Sequence, residues 1–369
     1  MMVSSSKDTA PSLLGVPMKW VSLLMLVAQT VSVVFMMRLS RTSQVAGPRY
    51  LNTTAVFFSE VVKLFCSYLF LCQEQGSLGS AASLTWVHFT RSPVELLKVL
   101  VPSLLYTLQN NLLFVALSHL SGAVYQVTYQ LKILTTAILS VIILGKALGP
   151  TKWAALVTLT AGVALIQLPR GMPSSGASEA SDETSTTTAA LAVMTGGSGA
   201  VGLAAVLSAC VTSGLAGVYL EKILKQTDAS IWLRNIQLAF FGAGMAFFGA
   251  LIQDGSQIRE AGFMQGYSML VWAVILLQAV GGLVVAAVLK YADNILKCFG
   301  NALSIVISCM LSGVLLREFE PDLLFVLGTL LVLLATTMYS IGVPEWVQLL
   351  WNRQLGGVRK SKVDELGKV

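Results

Sequence analysis

Long runs of apolar residues constrain this 369-residue chain more than any other feature of its sequence. Each run lasts roughly 18 to 25 residues, the length that an α-helix needs to cross a hydrocarbon core of about 30 Å. Because lipid offers backbone N–H and C=O groups no partner, only helices or closed barrels can span it, and these runs lack barrel-type alternation. Only 11% of the residues are charged, against about 25% in soluble domains. The sequence therefore predicts an all-α polytopic membrane protein.

The order of apolar runs and helix breakers predicts ten transmembrane helices in two halves of five. The predicted spans are residues 18–38, 50–72, 97–118, 121–145 and 151–168, followed by 198–221, 231–253, 268–289, 293–316 and 321–342. Residues 169–197 are rich in Ser, Thr, Gly and Ala, a composition that cannot bury a core. We therefore expect a tail (1–17), a five-helix repeat (18–168), a flexible linker (169–197), a second repeat (198–342) and a second tail (343–369).

The distribution of lysine and arginine among the short loops predicts the orientation in the membrane. A cytosolic N-terminus places most of these residues on the cytosolic side, including Lys146, Lys152, Lys222 and Lys225. Both termini then face the cytosol and the linker lies on the opposite side, which agrees with an even number of spans. With five helices each, the two halves insert with opposite topologies, which is the inverted-repeat plan of many secondary transporters.

Two lysines, Lys132 and Lys297, lie inside predicted spans, each in the fourth helix of its half. An ammonium group there costs about 2.5 to 3.5 kcal/mol on insertion scales, so an intramembrane lysine is a functional hypothesis. The alternative is that each side chain snorkels to the nearer interface. If the two cations converge instead, an anionic ligand such as a diphosphate would neutralise them.

Other charged residues of the spans have simpler interpretations. Glu60 and Lys63 lie on one turn of the second predicted helix, and we expect them to neutralise each other. Glu221 and Lys222 end the sixth predicted helix and are interpreted as a solvated helix end. No acidic residue is then an obvious partner for the two buried lysines.

Aromatic and amide side chains precede Lys132 in an unusually polar stretch. Tyr125, Tyr129 and Lys132 follow helical spacing and share one face. Flat rings and amides suit stacking on a pyrimidine base and recognition of its edge. The alternative is that such residues hold helices together. The same two interpretations apply to Tyr106, Gln109 and Asn110 in the third span and to Asn235 and Gln237 in the seventh. Arg234, also in the seventh span, is a cation near these amides, and the alternative interpretation is that it anchors the helix at the membrane interface.

Several functional classes are disfavoured by what the sequence lacks. It contains no GxxxxGK[ST] phosphate loop, which argues against ATP-driven transport. Its two histidines, His88 and His119, belong to no group with metal-ligand spacing, and no basic stripe carries the interleaved aromatics of a nucleic-acid-binding surface. We therefore predict no catalytic residues, no metal, no cofactor and no nucleic-acid partner. The lipid bilayer is the expected partner, and the sequence leaves a homo-oligomer open.

Five segments closely resemble the Golgi nucleotide-sugar transporters of the drug/metabolite transporter superfamily. They are residues 109–113 (QNNLL), 125–136 (YQVTYQLKILTT), 217–225 (GVYLEKILK), 232–237 (WLRNIQ) and 290–297 (KYADNILK). The resemblance extends over residues 18–342. It implies a multi-pass Golgi membrane antiporter, not an enzyme, that imports a cytosolic nucleotide sugar into the lumen in exchange for a nucleoside monophosphate.

The resemblance also implies residue roles and a preferred substrate. It assigns to the nucleotide site Tyr106, Gln109, Asn110, Tyr125, Tyr129, Lys132, Asn235 and Lys297, with the lysines on phosphate. Residues 130–137 (QLKILTTA) look like the UDP-sugar carriers, and residues 47–51 and 235–242 look most like the UDP-N-acetylglucosamine branch. Ala239 and Phe241 depart from the CMP-sialic acid branch. After Lys297, residues 298–302 (CFGNA) also depart from the family pattern, so Asn301 is expected to influence sugar preference.

The expected function is therefore import of a UDP-sugar, with UDP-N-acetylglucosamine first, UDP-galactose as the runner-up and CMP-sialic acid as a further alternative. Two rival classes remain: a membrane nucleotide sensor or receptor, and a membrane-embedded glycosyltransferase.

Overall fold

The computed structural model describes residues 12–13, 15–42, 50–168, 197–227, 229–316 and 322–341. The predicted linker (169–197) lies outside the described residues except at Gly197, and most of both predicted tails lies outside them as well. The described helices are α1 (Met18–Thr42), α2 (Asn52–Gln75), α3 (Leu78–Thr90), α4 (Pro93–His119), α5 (Gly122–Tyr129), α6 (Lys132–Leu144), α7 (Pro150–Gln167), α8 (Gly197–Gln226), α9 (Ile231–Gln253), α10 (Gly255–Ala261), α11 (Met269–Tyr291), α12 (Asn294–Leu316) and α13 (Leu323–Ile341). A two-stranded antiparallel sheet, β1 (Ser12–Leu13) with β2 (Val16–Pro17), precedes α1.

Nine helical segments within the described residues are long and apolar enough to cross a membrane. They cover nine of the ten predicted spans, because the fourth predicted span is counted as one segment running through α5 and α6. The remaining prediction, residues 151–168, coincides with the 18-residue helix α7, which is not among the nine. Large apolar side chains on the outside of the helices, such as Ile252 at 83% and Met269 at 87%, remain exposed in the isolated chain. This apolar exterior is what a bilayer requires, so the chain is a multi-pass membrane protein.

The fourth predicted helix is not continuous. The backbone N–H groups of Gln130 and Leu131 donate to the carbonyls of Val127 and Thr128, three residues back, at 3.1 and 3.0 Å. These tight turns replace the α-helical pattern and separate α5 from α6. Lys132 is consequently the first residue of a new helix, a position that the sequence analysis did not predict.

Side-chain caps and glycines determine several helix ends. Gly145 adopts φ +65° after α6, a left-handed conformation that glycine accepts without strain, and it turns the chain towards α7. Asp293 accepts a hydrogen bond from the backbone N–H of Leu296 at 2.7 Å through its Oδ1, which caps the start of α12. Pro150 occupies the first turn of α7, where no backbone donor is lost.

Helix packing joins the two halves of the chain rather than keeping them apart. The most extensive contacts are α4 with α8, α2 with α9, α7 with α13, α1 with α11, α6 with α8, α1 with α12, α2 with α11 and α4 with α9. This set is unchanged when α1, α2, α4, α6 and α7 are exchanged for α8, α9, α11, α12 and α13 respectively. The first and second halves of the chain therefore make equivalent helix contacts, as two related repeats would.

The largest apolar core lies among α6, α7, α12 and α13. Ala137, Leu159, Phe299 and Val332 pack there with at most 4% of their surface exposed. This cluster holds the beginnings of α6 and α12, and hence Lys132 and Lys297, against a rigid support. Elsewhere, Lys63 forms the predicted ion pair with Glu60 at 2.6 Å.

Candidate functional site

Two tyrosines and one glutamine form the first part of the candidate site. The rings of Tyr125 and Tyr129 lie nearly parallel, with centroids 5.9 Å apart and an interplanar angle of 10°. Across from α5, Nε2 of Gln109 donates to the hydroxyl of Tyr129 at 2.9 Å. Oε1 of Gln109 is buried and has no partner among the described residues. The arrangement thus orients Tyr129 beside Tyr125 and leaves one buried amide oxygen of Gln109 without a partner among the described residues.

Lys132 lies directly beside these rings. Its Nζ atom is 4.2 Å from the ring centroid of Tyr129, a cation–π contact, and its side chain is half-buried. One turn further on, the hydroxyl of Thr135 donates to the carbonyl of Cys210 at 3.1 Å and ties α6 to α8. The start of α6 therefore presents a cation next to a flat aromatic surface.

Lys297 approaches Lys132 from the second half of the chain. It lies in the first turn of α12, where its backbone N–H donates to the carbonyl of Asp293 at 3.1 Å. Ile133, which follows Lys132, is buried in the same apolar cluster as Ile295, and Cys298, which follows Lys297, packs against that cluster. The two lysines are near enough to interact electrostatically. Two cations from opposite halves thus share one region of the protein, which is the geometry that an anion-binding site requires.

A buried carboxylate adjoins the second lysine. Glu221 is 0% exposed and interacts electrostatically with Lys297. The interpretation of Glu221 as a solvated helix end is therefore wrong, and so is the statement that the buried lysines lack an acidic neighbour. The reason is tertiary: the end of α8 packs against the start of α12, and Gly217 allows the side chain of Asn294 to approach its backbone. Lys222, the next residue, is half-buried.

Glu221 is the centre of a group that we call the Glu221 cluster, consisting of Glu221, Lys146, Lys225, Asp293 and Asn294. Oε1 of Glu221 lies 2.8 Å from Nζ of both Lys146 and Lys225, and Oε2 accepts the backbone N–H of Asn294 at 2.9 Å. Asp293 lies 3.5 Å from Lys146. The cluster joins the loop after α6, the end of α8 and the junction of α11 with α12.

Buried polar residues also lie at the start of α9, against α4. Arg234 is 2% exposed, donates to Gln237 at 3.0 Å and pairs with Glu95 of α4 at 2.6 Å. The alternative interpretation of Arg234 as an interface anchor is therefore wrong. Asn235 and Gln237 are 2% and 0% exposed, and each has a side-chain nitrogen with no partner among the described residues.

The remaining predicted residues are distributed around this arrangement. Tyr106 lies one turn before Gln109 on α4 and packs against the apolar cluster of α8, α9 and α11. Asn301 is half-buried, one turn after Lys297. Asn110 is exposed and no contact brings it to the tyrosines. Contacts in the structure therefore connect Gln109, Tyr129 and Lys132, and Tyr106 packs with Trp232 and Leu238 of α9, on either side of Asn235 and Gln237.

Neither the Glu221 cluster nor the position of Cys298 beside the lysines was predicted from the sequence. A signal was available, because residues 217–225 and 290–297 each contain an acid and at least one lysine within a few positions of a helix end. Their pairing depends on which helix ends meet, and spacing along one segment does not predict that.

Comparison with known proteins identifies the family. The family model described as "Nucleotide-sugar transporter" matches residues 15–340. UDP-N-acetylglucosamine transporters of Mus musculus and Homo sapiens are 49% and 50% identical over 324 residues, covering 88% of this chain and 95% of each relative. The UDP-galactose translocator of Canis lupus familiaris is 43% identical over 325 residues, covering 88% of this chain and 77% of the relative. These relatives are transporters, not enzymes.

A solved crystal structure shares the fold, with a TM-score of 0.56 at 15% identity over 87% of this chain and 97% of its own length. The architecture of membrane-spanning helices, the intramembrane lysines and the family match agree along most of the chain. On this evidence, the chain belongs to the nucleotide-sugar transporter family.

Proposed function

We propose that the protein is an antiporter that moves a UDP-sugar, UDP-N-acetylglucosamine first, into the Golgi lumen in exchange for UMP. The observation that carries the proposal is the packing of the helix starts that hold Lys132 and Lys297 in one apolar cluster, with Lys132 against the stacked tyrosine pair of α5. Two ammonium groups match the charge of a diphosphate, and aromatic faces match a base that stacks. The relatives named as UDP-N-acetylglucosamine transporters support the choice of sugar.

In this proposal the base, the diphosphate and the sugar of the substrate contact different residues of the site. The pyrimidine stacks on the tyrosine pair while Oε1 of Gln109 accepts a hydrogen bond from the base edge. The diphosphate lies between Lys132 and Lys297, where the two positive charges no longer repel each other once it binds. The sugar extends towards the second turn of α12, where Asn301 offers an amide.

The free energy of the empty site favours antiport over one-way transport. Two partly buried cations without a ligand are unfavourable, so the protein changes conformation more readily with UDP-sugar or UMP bound than with neither. The exchange symmetry of the helix contacts supports ten helices arranged as two inverted five-helix repeats, residues 18–168 and 198–342. In this arrangement both termini face the cytosol and the linker 169–197 is luminal.

The test is uptake of labelled nucleotide sugars by proteoliposomes that contain the full chain. With UMP inside, uptake of UDP-N-acetylglucosamine is expected to exceed uptake into liposomes without nucleotide, and the sugar nucleotide should enter intact. UDP-galactose, UDP-N-acetylgalactosamine and CMP-sialic acid form the comparison panel, with protein-free liposomes as control. Equal uptake with and without internal UMP would contradict antiport.

UDP-galactose is the second candidate substrate, because a UDP-galactose translocator is 43% identical to this chain. Faster UMP-stimulated uptake of UDP-galactose than of UDP-N-acetylglucosamine would make it the principal substrate. CMP-sialic acid is disfavoured because of Ala239 and Phe241. A nucleotide sensor predicts saturable UMP binding with no uptake of any substrate, and a glycosyltransferase predicts sugar transfer to an acceptor, so the same preparation distinguishes these classes.

A further inference from the structure

A cavity of about 390 Å³ lies at one end of the helix bundle, away from the candidate substrate residues. Its walls are the start of α1, the end of α8 with the residue after it, and the end of α11. None of the predicted substrate residues lines it. Each of the three helices contributes one lysine, namely Lys19, Lys225 and Lys290.

The charges around this cavity do not balance. Lys225 belongs to the Glu221 cluster, in which the carboxylates of Glu221 and Asp293 offset the ammonium groups of Lys146 and Lys225. Lys19 and Lys290 make no ion pair with any residue that the structure describes. Among the described residues, these two positive charges in the cavity wall therefore have no carboxylate partner, and an anion bound there would offset them.

The position of the cavity indicates the kind of anion. It lies where three spanning helices begin or end, which is the depth of lipid headgroups. The ammonium group of Lys19 lies 5.1 Å from the ring centroid of Trp20, which is 44% exposed. An exposed tryptophan at a helix end is typical of the aromatic belt of membrane proteins. Met18, Leu224 and Tyr291 give the same walls an apolar component, which suits an amphiphile better than a free ion.

The size of the cavity favours an organic anion over a free phosphate ion. A volume of about 390 Å³ is in the range of pockets that hold organic ligands and far exceeds what one phosphate needs. We propose that the cavity between α1, α8 and α11 binds the phosphorylated polyol headgroup of an anionic phospholipid, with Lys19 and Lys290 on its phosphate. Basic pockets between transmembrane helices are known to recognise such headgroups. Lys225 belongs both to the cavity wall and to the Glu221 cluster. A headgroup bound in the cavity would therefore contact the ends of α8 and α11, which the cluster also joins.

The experiment measures binding of a fluorescent short-chain phosphatidylinositol 4-phosphate to the full-length protein in detergent micelles, by anisotropy. The test variant is Lys19→Gln/Lys290→Gln, and the matched control is Lys222→Gln, which removes a lysine at the same end of α8 that does not line the cavity. A surface-level lysine contributes about fivefold in affinity, so the double variant is expected to bind about 25-fold more weakly. The control should stay within about twofold of the unmodified protein.

Competitors distinguish a lipid from a free phosphate. Unlabelled phosphatidylinositol 4-phosphate should displace the probe, whereas phosphatidylcholine, inorganic phosphate and UDP at the same concentration should not. Displacement by inorganic phosphate or UDP would overturn the assignment to a lipid. Equal binding by the double variant, or an equal loss in Lys222→Gln, would overturn the site itself.

If the double variant melts at a lower temperature than the unmodified protein, the single variants Lys19→Gln and Lys290→Gln decide the question, each with an expected loss of about fivefold. Unchanged binding in both would overturn the proposal. Because the assay measures lipid binding without transport, its outcome is independent of the proposed exchange activity.

Discussion

The Nζ atom of Lys146 lies 2.8 Å from Oε1 of Glu221, so an ion pair joins the loop after α6 to the end of α8. The same carboxylate accepts a hydrogen bond from the backbone N–H of Asn294, the first residue of α12. Helices that carry Lys132 and Lys297 are thereby connected by one fully buried acid. In the proposed orientation this connection lies on the cytosolic side of the protein.

Glu221→Gln is expected to lower the thermal stability of the purified protein. The amide keeps the shape of the side chain but removes the charge. Within the described cluster this leaves Lys146 with Asp293 as its only carboxylate partner and Lys225 with none. Breaking a buried ion pair costs up to about 3 to 5 kcal/mol, and the partly exposed lysines place this case towards the lower end. The matched control is Glu260→Gln, the same substitution at an exposed site on α10. Equal melting temperatures for the two variants would contradict a stabilising role for the cluster.

Lys132→Ala and Lys297→Ala are each expected to abolish UMP-stimulated exchange while the protein inserts normally. A charge-assisted contact contributes about 1.5 to 3 kcal/mol, so losing one weakens nucleotide binding about tenfold to a hundredfold. Lys222→Ala serves as control for the loss of a lysine from a helix end. Normal exchange by either test variant would remove that lysine from the proposed phosphate site.

Tyr129→Phe and Tyr125→Phe are expected to differ, although both keep an aromatic ring. The hydroxyl of Tyr129 accepts the hydrogen bond from Gln109, so its removal frees a buried amide and disturbs the site. We expect an apparent UMP affinity about fivefold weaker for Tyr129→Phe, from a loss near 1 kcal/mol, and a change within about twofold for Tyr125→Phe. Inhibition of uptake by external UMP measures both. A similar loss in the two variants would show that the hydrogen bond does not orient the pair.

Gly328→Ala is expected to destabilise the contact between α7 and α13. A Cβ atom at this position would lie 2.8 Å from the carbonyl oxygen of Gly162, which is backbone and cannot rotate away. Overpacking of this kind costs about 1 to 3 kcal/mol. Gly244→Ala is the matched control, because a Cβ there meets nothing within 4 Å and alanine favours the helix. Thermal melting of the two variants in one detergent measures the difference, and a Gly328→Ala protein as stable as Gly244→Ala would refute the close approach.

The fold class could be predicted from the sequence because each membrane helix satisfies its own backbone hydrogen bonds. The apolar runs alone located helices close to their positions in the structure, as for residues 231–253 and α9. The break before Lys132 could not be predicted, because no proline or glycine lies between Gly122 and Gly145 to mark a helix end. That break depends on three-residue turns at Gln130 and Leu131, which form against neighbouring helices.

Only the part of the candidate site that lies within one helical segment could be predicted from the sequence. Tyr125, Tyr129 and Lys132 are close in sequence, so helical spacing sufficed to group them. The contact between Gln109 and Tyr129 spans 20 residues and two helices, and it needed the packing of α4 against α5 to be known. Glu221 was misinterpreted because an acidic residue beside Lys222 at a helix end usually faces water.

The sequence by itself determined that the chain is helical, that it lies in a membrane and that it carries two costly intramembrane lysines. These are local properties, since the length, hydropathy and charge of a segment decide whether it can enter lipid. The tertiary structure alone decided that the two lysines approach each other and that Glu221 is buried beside them. Partners such as Glu221 and Asn294 lie 73 residues apart along the chain, so their meeting depends on which helices pack together.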